Sequence, residues 1–109
     1  MWKCQGCQLI LDVEEAPEKC PRCGAPKEQF QDLAGEAQEL VEKSRETNSL
    51  LMELSETMEQ VESLAEQGID INLDPNCLAL FKKAKEESQM LKQFAKAEIE
   101  VHVGKGKWG

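Results

Sequence analysis

Trp2-Lys3-Cys4-Gln5-Gly6-Cys7 and, farther along, Lys19-Cys20-Pro21-Arg22-Cys23-Gly24 decide the fold of the N-terminal part of this 109-residue chain. Each Cys-x-x-Cys turn offers two sulfurs about one ligand edge apart, so two such turns close a tetrahedral shell of four thiolates around one metal ion. Residues 1–30 are too few to bury a core, since chains below about 40 residues usually need a metal or disulfides to fold. Metal binding is then the folding free energy of this segment. Disulfide pairing of the same sulfurs is the competing reading. Against it stand an odd total of five cysteines, no signal-peptide pattern before Cys4 and no long apolar run, which together point to a reducing, cytoplasmic setting away from membranes. A thioredoxin-like dithiol is a lone Cys-x-x-Cys opening a helix, with no second pair facing it. The expected ligands are Cys4, Cys7, Cys20 and Cys23.

The stretches Trp2 to Cys7 and Glu14 to Phe30, with Cys20-Pro21-Arg22-Cys23-Gly24 and the tail Ala25-Pro26-Lys27-Glu28-Gln29-Phe30, resemble the rubredoxin-like domain of rubrerythrins. The resemblance covers residues 1–30 only. It implies that Cys4, Cys7, Cys20 and Cys23 hold one iron without sulfide, that the iron carries a single electron, and that Trp2 and Phe30 pack beneath the site. Two departures matter. Where the family usually has Gly after the second cysteine, this chain has Gln8, which either adopts positive φ at a cost of about 1–3 kcal/mol or alters the first knuckle. The Glu-x-x-His pair of a rubrerythrin diiron bundle is missing and His102 is the sole histidine, so diiron peroxidase chemistry is not expected.

Beyond the knuckles the pattern is helical. Ala37, Leu40, Ser44, Thr47, Leu51, Leu54, Met58, Val61 and Ala65 alternate spacings of four and three, the seam of one long helix over about 31–67. Gly68 is the expected stop, with Ile69 folding back on Leu64. Asp74 as N-cap and Pro75 as first helical residue open a second helix, about 75–98 or beyond. Its seam is Cys77, Phe81, Ala84, Ser88, Leu91, Ala95, Glu98 and His102. The short link makes the helices antiparallel neighbours, with Ala65 opposite Cys77 and Val61 opposite Phe81. Residues 99–103 fit either a continued helix or a short strand, and residues 104–109 read as a flexible basic tail ending in Trp108 and Gly109, with docking of Trp108 near the metal domain as the alternative. The fold expected is a small rubredoxin-like metal knuckle followed by an all-α antiparallel hairpin spanning 31–103.

Net charge is −1 over residues 1–29, −9 over 30–73 and +2 over 74–109. An acidic helix beside a more basic one favours the hairpin. The second helix also carries Leu78, Leu80, Met90, Phe94, Ala97 and Ile99, more apolar surface than one partner covers, which predicts a homodimer through the helices. With a pI near 4.7 no nucleic-acid partner is expected. Cys77 reads as a small buried hydrophobe, and Glu98 with His102 as a solvated pair. No triad or phosphate loop argues for an enzyme. Two functions remain: one-electron transfer through iron with a redox protein partner, or a structural zinc site in an interaction module.

Overall fold

In the computed structural model, which describes residues 1–109, the first knuckle is built into a small sheet. Strand β1 (Trp2–Cys4) pairs antiparallel with β2 (Ile10–Leu11) on one side and with β3 (Phe30–Asp32) on the other. The registers Lys3–Ile10 and Cys4–Phe30 bring a ligand cysteine level with an aromatic ring. Cys4, Ala16, Cys20 and Phe30 form the buried core, with Trp2, Leu9, Leu11 and Ala25 packed against it. The indole N–H of Trp2 donates to the Glu14 carbonyl at 3.2 Å. Half of that buried core is cysteine sulfur, which leaves little apolar burial to hold the segment without a metal.

The chain forms two compact units, Met1–Arg45 with Gly106–Gly109, and Glu46–Lys105. The first helix starts later than its sequence pattern suggests: α1 spans Glu36–Ile71, about 54 Å at 1.5 Å per residue. Phe30 is claimed by the sheet, and Gly35, at φ +60°, turns the chain into the helix in a conformation that side chains disfavour. The C-terminal residues, read from the sequence as a flexible tail, have a defined place in the first unit. Gly109 lies against Ile10 and Val41, and Arg45 Nε donates to its carbonyl while the guanidinium grips the Asp12 carboxylate at 2.7 and 3.1 Å.

The second unit is a pair of antiparallel helices packed together. Helix α2 spans Pro75–Gly104, so residues 99–103 are helix rather than strand. Asp74 caps it, its Oδ1 accepting the Cys77 N–H at 2.8 Å, and Pro75 stands in the first turn. Gly68 does not end α1. It is buried inside the helix, and a Cβ there would collide with the Phe81 ring; the glycine is the socket into which that ring fits. The left-handed terminus falls instead on Asn72, at φ +49°, whose N–H bonds the Gly68 carbonyl at 3.2 Å. Asparagine accepts that conformation more readily than most residues.

One extra turn of α1 shifts the pairing of the helices. Phe81 meets Gly68, Lys85 meets Glu66 at 3.4 Å, Lys92 and Gln89 meet Glu62 at 2.9 and 2.8 Å, and His102 Nδ1 meets Asn48 Oδ1 at 2.6 Å. This register lies about one heptad from the expected one, in which Phe81 opposes Val61. The seam also turns. Ala65, Ser88 and Ala95 are buried as their spacing implies, but Leu54 and Leu91 face outward, while Asn48 is buried and Lys92 is partly covered. Polar partners cross the interface, Asn48 with His102 and Glu62 with Lys92; His102 stands on the expected seam, whereas Asn48, Glu62 and Lys92 each lie one residue beyond the expected positions Thr47, Val61 and Leu91. No helix is long and apolar enough to cross a membrane.

Candidate metal centre

The two cysteine turns are built alike. In the first, Cys4 N–H bonds the Leu9 carbonyl at 2.8 Å and Gln8 N–H bonds the Cys4 carbonyl at 2.9 Å; in the second, Cys20 N–H bonds the Ala25 carbonyl and Gly24 N–H bonds the Cys20 carbonyl, both at 2.8 Å. Each turn closes on a left-handed residue at the same place, Gln8 at φ +67° and Gly24 at φ +76°. Gln8 therefore takes the conformation of the glycine it replaces, and its side-chain amide donates back to the Gln5 carbonyl at 3.2 Å. Arg22 ties one knuckle to the other, its Nη1 donating to the Cys7 carbonyl at 2.7 Å. Nothing in the sequence singled out Arg22, because its partner lies on the other knuckle.

This scaffold brings the four sulfurs together. The Sγ atoms of Cys4 and Cys23 are 3.7 Å apart, as are those of Cys7 and Cys20, and all four lie within 4.8 Å of one another. A tetrahedron with metal–sulfur bonds of about 2.3 Å has edges of about 3.8 Å. The donor set thus fits one soft tetrahedral ion, iron or zinc. All five cysteines are free thiols, and the disulfide alternative is not taken. Cys4 and Cys20, the first of each pair, are buried, whereas Cys7 is half-buried and Cys23 exposed, so one side of the cluster is sealed by the core and the other is open.

Before a cation binds, the sulfurs compete for protons. Burial raises the Cys20 thiol, but the backbone N–H groups of Cys23 and Arg22 and the thiols of Cys23 and Cys7 outweigh it and bring its pKa down to about 6. At Cys23 the Ala25 N–H favours the thiolate, yet burial and the crowding of the Cys20, Cys7 and Cys4 sulfurs push it up to about 12. The crowded sulfurs thus divide, Cys20 shifted toward the thiolate and Cys23 toward the thiol.

The remaining candidates do not join this cluster. Cys77 is half-buried at the start of α2. His102 is held across the helix interface by Asn48 and stands 3.8 Å from Glu98, whose side chain is exposed.

Fold and site together define a rubredoxin-like four-cysteine domain, and residues 2–31 match the family model of the rubrerythrin rubredoxin-like domain. The chain is also similar to reverse rubrerythrin-1 of Clostridium acetobutylicum, 46% identical over 37 residues, which cover 34% of this chain and 20% of that protein. The likeness thus spans one fifth of the relative. No solved structure matches significantly.

Proposed function

We propose that the protein is a one-electron carrier whose single iron is held by Cys4, Cys7, Cys20 and Cys23. The observation that supports this most is the matched pair of knuckles, with Gln8 forced into the left-handed conformation that Gly24 occupies without strain. Maintaining both turns at a cost in strain suits a shell that must keep one geometry in two charge states. An iron ion in such a shell supplies a one-electron couple between its ferric and ferrous forms.

The protein's own part is to hold and shield. Cys4 and Cys20 sit in the core with Phe30, where water is excluded and rearrangement is resisted. Cys7 and Cys23 face outward and give a redox protein partner its approach. With iron, four thiolates would give the site a charge of −1 oxidised and −2 reduced, and a surrounding chain of formal net charge −8 would lower the potential relative to a neutral host. A reducing cytoplasm keeps the thiols available for the metal.

Four sulfurs within 4.8 Å of one another would also suit structural zinc, with the protein then acting as an interaction module. The visible spectrum of protein made in iron-replete cells and kept anaerobic, before and after dithionite, separates the two. A red oxidised form that bleaches reversibly is the expected result. A colourless protein holding one zinc under those conditions contradicts electron transfer.

A further inference from the structure

Within the second unit the helices leave several large apolar side chains in solvent. On α1, Leu50, Leu54 and Leu64 are exposed; on α2, Leu80, Leu91, Phe94 and Val101 are exposed. At about 100° per residue, both sets lie roughly a third of a turn from the contact seam of their own helix, and on the same hand. Antiparallel helices are related by a twofold axis perpendicular to both, and a twofold preserves hand. Both stripes therefore lie on one side of the hairpin. The opposite side carries the Glu66–Lys85 ion pair, with Met52 and Val103 the large apolar side chains exposed there.

We propose that a second copy of this chain covers that face, its α1 lying antiparallel across α2 of the first. From Leu80 to Val101 the face is about 32 Å long, and two helices packed about 8–10 Å apart make it roughly 20 Å wide. Each copy then buries about 600 Å², roughly 1,200 Å² in all, the lower bound for a stable interface.

Charge selects the arrangement. Residues 46–71 of α1 carry seven acids and no base, whereas residues 75–105 carry six lysines against four glutamates, with Lys85 and Lys92 already paired to Glu66 and Glu62 of their own chain. A twofold axis parallel to the helices sets the acidic α1 of each copy on the more basic α2 of the other. A twofold running across the helices would stack α1 on α1, seven acids against seven. The parallel axis preserves levels along the hairpin, so Leu50 and Leu54 of one copy meet Val101 and Phe94 of the other. Nothing in this arrangement depends on which metal the cysteines hold.

Sedimentation of the metal-loaded full chain tests the pairing. The expected mass is twice the 12.3 kDa of one chain, and Phe94→Glu, at an exposed position, halves it without loss of helical circular dichroism. In a Cys77→Ser background, a mixture of Leu54→Cys and Phe94→Cys chains is expected to crosslink between copies, and Leu54→Cys alone is not. A chain that stays at the single mass at high micromolar concentration overturns the proposal, and so does efficient self-crosslinking of Leu54→Cys, which places α1 on α1.

Discussion

Gln8 and Cys23 show how single residues set the behaviour of the centre. Gln8 accepts left-handed strain to complete a turn that Gly24 completes freely, so the strain resides in one knuckle only. Cys23 keeps its proton up to about pH 12 while Cys20 loses its own near pH 6. A bound cation must displace the proton on Cys23 throughout that interval, and below pH 6 one on Cys20 as well. Metal affinity should therefore rise with pH by about tenfold per unit for each displaced proton. Competition with a calibrated chelator between pH 6.5 and 8, the working range chosen around neutrality, should show that slope, and a flat profile would mean that Cys23 is already ionised. The cysteine pairs are legible in the sequence because their spacing is local. The pKa split is not, since it depends on which backbone N–H groups face each sulfur.

At the level of elements, the register of the hairpin rests on Gly68 and Phe81. A glycine late in a helical pattern signals a stop, and the same residue serves equally as a socket for a ring from the facing helix. Only the tertiary partner distinguishes the two, which is why the sequence places the end of α1 one turn early and pairs the helices one heptad out. Gly68→Ala gains about 1 kcal/mol of helix propensity but drives a methyl into the Phe81 ring, and overpacking of this kind costs about 1–3 kcal/mol. Net destabilisation of the hairpin is expected in urea unfolding, with Phe81→Leu restoring part of it in the double variant. Glu62 adds a pH dependence. Hydrogen bonds from Lys92 and Gln89 hold its carboxyl below the ordinary value of 4.5, so its contribution is fully present above that pH and is lost as pH falls through the depressed value. Glu62→Gln should flatten this acid-side loss of stability, and an unchanged acid profile would show that the pair contributes nothing.

For the whole molecule, the two units differ in what holds them. Half of the buried core of the first is cysteine, and the second is a helix pair closed by Phe81, Asn48–His102 and Glu62–Lys92. Stripping the metal should abolish the near-ultraviolet signal of Trp2 and expose the thiols to modification. Most far-ultraviolet helical signal should persist, because 36 residues lie in α1 and 30 in α2. Loss of both signals together would mean that the hairpin too depends on the metal. The two-part architecture is legible in the sequence from the change between Cys-x-x-Cys turns and heptad spacing. The place of residues 106–109 in the first unit is legible only as the alternative to a flexible tail, since a Gly-rich basic tail carries no periodic signal and is fixed by Arg45, Ile10 and Val41, remote in sequence. Film voltammetry of the anaerobic protein with one metal bound per chain tests electron carriage most directly. One reversible wave with one-electron shape is the expected result, and a metal-loaded chain with no wave would contradict it.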